Sequence, residues 1–179
     1  MENKIYVSYE KIHKLVNKIS EEITEKSKTN PEVIIGIGGG GLLPARLFRT
    51  KLKLDMYAVF ISFYEDDGDK HDKAKIKQWL DSTAIEAIKG KHILIVDDVN
   101  DSGVTISFCI EKVLATCEPS DLSVAVLQDK DREKIKKVQP DINYYVGEYI
   151  PDKWIVYPWT TADDESKEIE EDFSSCILH

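Results

Sequence analysis

The feature that most limits the fold is a run without a polar residue, Ile93-Leu94-Ile95-Val96, which follows Gly90 closely and leads straight into Asp97-Asp98. Successive side chains of a strand point to opposite faces. Four apolar residues in a row therefore need cover on both faces, as a strand has inside a parallel sheet with helices on each side. The rest of the chain supplies those helices and the neighbouring strands. Residues 9–26 carry Ile12, Leu15, Val16, Ile19 and Ile23 on one helical stripe, with Ser8 placed as N-cap. Val33–Ile37 is a β-branched strand that ends in four glycines. Residues 42–52 read as a helix with Pro44 in its first turn, where a missing N–H costs little. Tyr57–Phe63 and Leu122–Leu127 read as strands, 104–117 as a helix, and 144–149 and 153–157 as shorter strands. Residues 65–77, EDDGDKHDKAKIK, are charged and unpatterned, so a loop is expected there. Strands alternating with helices predict an α/β fold, a doubly wound, mostly parallel sheet flanked by helices. Ligands of such sheets bind beyond the carboxyl ends of the strands.

Charge narrows the partners. The chain of 179 residues has 24 basic and 33 acidic side chains, a net charge of −9, and residues 163–172 alone hold seven acids and one Lys. The acidity is mostly a tail, the body is near neutral, and no basic stripe stands out. No nucleic-acid backbone is expected as the main partner. Cys109, Cys117 and Cys176 show no CxxC spacing and are too few for a disulfide framework, which fits a reducing compartment. The first fourteen residues are too polar for a signal peptide, and no apolar run reaches the ~18 residues of a membrane helix. A cytoplasmic protein without a membrane partner is expected. Cys176-Ile177-Leu178-His179 has the outline of a prenylation box but ends in His, so no lipid is expected.

The segment Ile93 to Thr105 carries most of the chemistry. A buried strand meets two adjacent carboxylates, Asp97 and Asp98, and then Asp101-Ser102-Gly103-Val104-Thr105 opens a helix. Ionised carboxylates are acceptor-only groups, suited to paired hydroxyls or to a hard cation. Free N–H groups and two hydroxyls at a helix start can cradle a phosphate, favoured by the helix dipole. Gly103 lets the backbone approach closely. The glycine run, Ile35-Gly36-Ile37-Gly38-Gly39-Gly40-Gly41-Leu42-Leu43-Pro44, also satisfies GxGxxG, a weak match within so many glycines. A tight turn needs one or two glycines; four point to contact with a ligand.

The 93–105 segment resembles the phosphoribosyl pyrophosphate signature of the type I phosphoribosyltransferases: four apolar residues, two acids, two usually apolar residues, then an acid or small residue, Ser or Thr, Gly, any residue and Thr. Asn100 departs from it, at a position that is usually apolar. The resemblance is to the 6-oxopurine branch, which acts on hypoxanthine, guanine or xanthine, and it spans residues 33 to 160. It implies that Asp97 and Asp98 hold the ribose 2′- and 3′-hydroxyls, directly or through Mg²⁺, and that residues 101–105 hold the 5′-phosphate. Gly38, Gly39, Gly40 and Gly41 match the turn that binds pyrophosphate through backbone N–H groups. Asp101 stands where the family has a general base for purine N7.

Further segments carry the same resemblance. Ile150-Pro151-Asp152-Lys153-Trp154-Ile155 resembles the purine-site segment, with Trp154 stacking on the base and the Ile155 backbone at its 2-position edge. Trp159 reads as packing. Lys130, past the Leu122 strand, takes the place of the lysine that donates to the purine 6-oxygen. Residues 65–77, preceded by Ser62 and Tyr64, occupy the place of the mobile lid. Thr160 and Thr161 stand where the family often has a metal-holding acid, although Asp163 is near. The resemblance implies a single domain over 1–160 with a small hood lobe from the N-terminal and 140–160 segments, Mg²⁺ as cofactor, phosphoribosyl pyrophosphate and a purine base as substrates, and a homodimer or homotetramer; the polar, acidic composition of 161–179 predicts a flexible tail. Two alternatives stay open: a regulatory protein of the same fold that senses phosphoribosyl pyrophosphate without catalysis, and a transferase for adenine or orotate, which the Trp154 segment disfavours.

Overall fold

The computed structural model describes residues 4–26, 29–66 and 69–160, and of residues 62–66 and 69–74 the backbone alone. Among the described residues there are eight strands and four helices, in the order β1 (Lys4–Tyr6), α1 (Tyr9–Lys26), β2 (Val33–Gly38), α2 (Leu42–Leu52), β3 (Asp55–Asp66), β4 (Asp69–Gln78), α3 (Ser82–Ile88), β5 (His92–Asn100), α4 (Val104–Cys117), β6 (Asp121–Asp131), β7 (Asn143–Pro151) and β8 (Trp154–Val156). Six strands form one sheet in the order β4-β3-β2-β5-β6-β7. All its pairs are parallel except β3 with β4. β1 and β8 pair in parallel as a separate two-stranded sheet. No described helix is long and apolar enough to cross a membrane.

The apolar run of β5 explains the layering. Leu94 and Val96 enter a core that also holds Ile12, Leu15, Val16, Ile19 and Ile23 of α1 and Ala45 and Phe48 of α2. Ile93 and Ile95 enter a second core with Ile88 of α3 and Ile106, Cys109, Ile110 and Val113 of α4. One strand thus feeds both sides of the sheet, as an unbroken apolar run must. All four of its residues are fully buried. Truncating any of the three isoleucine or leucine side chains among them to Ala costs about 2–5 kcal/mol.

The helix boundaries follow local chemistry. Ser8 Oγ accepts the Lys11 amide at 3.2 Å, the N-cap bond expected ahead of α1. α2 starts directly after the glycines and buries Pro44. α4 starts at Gly103, whose φ of 83° lies in the left-handed region. Asp81 caps α3 by accepting the Ala84 amide at 2.8 Å. α3 and the three-residue β1 have no counterpart in the sequence reading, because each is too short to show a period.

Within 65–77, expected as a loop, residues 65–66 and 69–77 are strand. β3 continues to Asp66 and β4 pairs with it antiparallel, with Ile61 opposite Ile76, Ser62 opposite Lys75 and Tyr64 opposite Lys73. The charged composition misled because this hairpin forms the edge of the sheet, where lysines are tolerated and guard the unpaired rim. Its one legible alternation is Lys75-Ile76-Lys77, in which both lysines are exposed and Ile76 is half-buried. The expectations for the tail, including Thr161, Asp163 and Cys176, fall on residues 161–179, outside the described residues.

Candidate active site

The carboxyl ends of β2, β5 and β6 carry the residues singled out by their chemistry. At the end of β2 the Gly38–Gly39 peptide is cis. A Cβ on Gly38 would lie 2.5 Å from the Phe60 ring, and one on Gly41 would lie 2.7 Å from the carbonyl oxygens of Ile37 and Val96. A Cβ on Gly40 would lie 1.8 Å from Asp98 Oδ2, whereas one on Gly39 would meet nothing within 4 Å. Three of the glycines are therefore fixed by packing against the protein, and Gly39 faces open space. The glycine turn and the carboxylate pair form one surface.

Asp97 is 8% exposed. Its Oδ1 accepts the Asp98 amide at 3.0 Å, and Asp98 Oδ1 accepts the Val99 amide at 2.8 Å. Burial pushes the Asp97 carboxyl well above the usual carboxylate range, and the Asp98 charge beside it pushes the same way. Burial also raises Asp98, while hydrogen bonds pull it partly back. Two carboxylates crowded in this way hold their charge at a cost that a cation or a pair of hydroxyl donors would relieve. Among the described residues no three His, Cys, Asp or Glu converge on a metal position. The donor set is the Asp97–Asp98 pair, with Asp98 Oδ2 turned toward the glycine turn.

Beyond β5, residues 101–103 lead into α4, whose first-turn amides have no intrahelical acceptor. The Ser102 carbonyl accepts the amides of Ile135 and Lys136 at 2.9 and 3.2 Å. A Cβ on Gly103 would lie 1.8 Å from the Lys136 carbonyl oxygen. The segment after β6 therefore wraps the candidate phosphate loop from outside, and only glycine fits at 103. Ser102, Val104 and Thr105 are half-buried on that loop and first turn.

The structure brings Asp101 and Lys130 together. Lys130, 9% exposed, places Nζ 3.3 Å from Asp101 Oδ2 and 3.6 Å from Asp152 Oδ1. Arg132 Nη1 lies 2.9 Å from Asp101 Oδ1 and 3.6 Å from Asp152 Oδ2. Each cation meets both carboxylates, so a buried Lys gains the pairing that burial demands. Two residues past Asp152, Trp154 is 70% exposed, a large aromatic without cover, and Ile155 beside it is buried. The Tyr157 hydroxyl lies 2.7 Å from Gln128 Oε1 and 3.1 Å from the Asp98 carbonyl oxygen, tying the segment after β8 to the ends of β5 and β6. Tyr157 and Trp159 stack at 4.7 Å with an interplanar angle of 5°, the packing role expected of Trp159.

Ser62 and Tyr64 lie on β3, and their side chains are outside those described. The sequence reading gave no role to Arg132, Asp152, Tyr157 or Lys134, and weighed Asp129 only as a one-residue slip from Lys130. Their signal is weak: Asp129-Lys130-Asp131-Arg132-Glu133-Lys134 alternates in sign like any solvated surface. Only the strand end turns half of it inward.

The phosphoribosyl transferase domain model matches residues 4–166. A xanthine phosphoribosyltransferase 1 of Saccharomyces cerevisiae is 34% identical, over 90% of this chain and 92% of its own. A hypoxanthine-guanine phosphoribosyltransferase of Schizosaccharomyces pombe is 33% identical, over 90% of this chain and 91% of its own. A crystal structure of a Neisseria gonorrhoeae protein with bound ppGpp is 35% identical and superposes with a TM-score of 0.85, covering 97% of this chain and 98% of that one. With matches of this extent over the sheet that carries the glycine turn, the carboxylate pair and the Asp101–Lys130 contact, the chain belongs to the phosphoribosyl transferase family.

Proposed function

We propose that the protein transfers the phosphoribosyl group of 5-phosphoribosyl-1-pyrophosphate to a 6-oxopurine, hypoxanthine, guanine or xanthine, giving the nucleoside 5′-monophosphate and pyrophosphate, as in purine salvage. The observation that carries this reading is the Asp101–Lys130 contact beside the exposed Trp154. The 6-oxygen and N7 are adjacent on one edge of a 6-oxopurine. A lysine donor and a carboxylate 3.3 Å apart match that edge when N7 carries a proton. The yeast relatives, named for xanthine and for hypoxanthine-guanine, point to the same bases. So does the ppGpp in the Neisseria protein, a guanine nucleotide with two diphosphates.

In this reading the C1′–oxygen bond to pyrophosphate breaks and a bond from purine N9 to C1′ forms. Gly38–Gly41 meet the leaving pyrophosphate through backbone N–H groups. Ser102, Gly103, Val104 and Thr105 hold the 5′-phosphate at the start of α4. Trp154 stacks on the base, worth ~1–3 kcal/mol. The Ile155 backbone meets its 2-position edge, and Lys130 donates to its 6-oxygen. Asp101 takes the N7 proton as N9 bonds to carbon. Asp97 and Asp98 hold the ribose hydroxyls and Mg²⁺, an ion that takes one or two carboxylates and completes its shell with water and substrate oxygens. Held by Asp97 and Asp98, Mg²⁺ would supply positive charge against the pyrophosphate. Ser62 and Tyr64, on the β3–β4 hairpin, belong to the lid. A homodimer or homotetramer in the cytoplasm completes the reading, and the buried free thiols Cys109 and Cys117 fit a reducing compartment.

The test is nucleotide formation from hypoxanthine, guanine, xanthine and adenine with the same donor and Mg²⁺. At least one oxopurine is used, and adenine little. Lys has only donors, so it meets the adenine 6-amino group donor to donor. Sites built on such pairing discriminate by up to ~10⁴–10⁵. Lys130→Ala lowers oxopurine kcat/KM and leaves donor binding intact. Efficient adenine use by the wild type overturns the assignment.

A further inference from the structure

Behind the base-facing pair lies a second polar knot. Lys134 Nζ donates to three main-chain carbonyls, those of Asn100 and Asp101 at 2.8 Å and of Lys130 at 2.7 Å. It also lies 2.7 Å from Asp129 Oδ1. An ammonium has three protons and no acceptor, and here all of them face acceptors. The carbonyls belong to the departing ends of two strands. The last register pair of the β5–β6 ladder is Asn100 with Asp129. Past it Asp101 and Lys130 leave the ladder, and the Lys134 ammonium joins them where the ladder stops.

Asp129, the counter-ion, is itself buried and fixed. Its Oδ2 accepts Asn100 Nδ2 at 3.0 Å and the Tyr144 hydroxyl, and Asn100 Nδ2 also donates to the Tyr144 oxygen at 2.8 Å. Asn100 Oδ1 is buried without a partner, a cost that an apolar side chain would avoid. A polar residue at this usually apolar position is thus explained by what Asp129 needs. With Lys134 on its other oxygen, Asp129 then has a donor on each side.

We propose that Lys134, oriented by Asp129, is a positioning residue: it fixes the spacing and facing of Asp101 and Lys130 so that both meet the N7 and 6-oxygen edge of one purine. This rests on the 6-oxopurine reading above. The brace touches none of the glycine turn, Asp97 or Asp98, and of the phosphate loop only the Asp101 carbonyl, so its loss falls more on the base than on the donor. A misplacement of about 1 Å costs up to ~10²-fold in rate.

The experiment compares wild type, Lys134→Met, Lys134→Arg and Asp129→Asn. It measures donor affinity with Mg²⁺, thermal midpoint, kcat and KM for each oxopurine, and the oxopurine-to-adenine ratio of kcat/KM. Lys134→Met is expected to lower oxopurine kcat/KM by about 10²-fold, to lower the ratio, and to hold donor affinity within a few fold. Asp129→Asn moves both quantities the same way by less, and Lys134→Arg recovers part of the loss. If Lys134→Met does not fold, Asp129→Asn and Lys134→Arg carry the same test. Unchanged oxopurine kcat/KM and ratio in the folded variants overturn the proposal. So does a loss shared equally by adenine, oxopurines and donor, which marks a general structural brace. A wild type that makes no nucleotide from any oxopurine fails the underlying reading instead, and is seen before any variant is made.

Discussion

The two halves of the site are built by different physics. The half proposed to bind the donor, glycine turn plus Asp97–Asp98 plus the start of α4, is shaped largely by backbone. Its glycines leave no room for a Cβ against Phe60, Asp98, Val96 or Lys136, except at Gly39. The base half is shaped by side chains from separate segments: Asp101 after β5, Lys130 and Arg132 at and past the end of β6, Asp152 before β8, and the exposed Trp154. A backbone site binds whatever carries the right phosphates. A side-chain site can choose between bases, because exchanging one donor for an acceptor reverses its preference.

The sharpest way to break the comparison is to remove the one base-half residue assigned to proton transfer. Asp101→Asn keeps the size of the side chain and an acceptor oxygen, and it loses the proton acceptor. The expected result is a fall in kcat of about 10²–10⁴ with donor affinity within a few fold. The measurement is steady-state turnover beside donor titration. Unaltered turnover makes Asp101 a loop residue and removes the functional boundary between the halves.

That boundary also decided what was legible in the sequence. The limits of α1, α2 and α4 coincide with those read from the chain, because each has a strong apolar stripe or a clear cap and stop. The proposed donor half stood out in the sequence because its residues lie in two short runs, 38–41 and 97–105, and each type has a local reason to be there. Asp101 and Lys130 were singled out one at a time, from motif and strand end. Their contact with Arg132 and Asp152 was not, because charged residues in Asp131–Lys134 carry no periodicity that separates a buried partner from a solvated one. Asn100 looked like a mismatch in the signature. Only the β5–β6 register, which sets it against Asp129, shows what it is paired with. The β3–β4 hairpin was missed for the opposite reason: an exposed edge strand has little hydrophobic pattern to read.

The glycines sharpen the comparison from the donor side. Gly39→Ala adds a methyl in open space, so the thermal midpoint stays put. If pyrophosphate approaches those amides, the methyl stands in its way and donor affinity falls roughly tenfold, about 1.4 kcal/mol. Gly40→Ala pushes on Asp98 Oδ2 and is expected to lose more affinity, with the base half intact. Calorimetric titration with donor and Mg²⁺ reads both. Wild-type affinity in Gly39→Ala takes the ligand away from the open side of the turn.

The smallest effect is on the ligand-free fold, and it has an unusual sign. Asp97 and Asp98 are raised above the ordinary carboxylate value of 3.8, mainly by burial. Between that value and the raised ones the folded chain holds more protons than the unfolded chain. Stability then falls as pH rises through that window, the reverse of a salt-bridged carboxylate. The double variant Asp97→Asn, Asp98→Asn lacks the penalty, because its amides stay neutral and still offer an oxygen to the amides of Asp98 and Val99. Without ligand, the variant is expected to melt above wild type at neutral pH, with the gap closing as pH falls toward 4. Each kcal/mol corresponds to about 2–4 °C for a chain of this size. Adding donor with Mg²⁺ raises only the wild-type midpoint, because only the wild type keeps both charges. Thermal melts across pH, with and without donor, read all of this together. A variant that melts below wild type at neutral pH shows that the carboxylates stabilise the empty fold, and that the donor half is not held in a costly charged state awaiting its ligand.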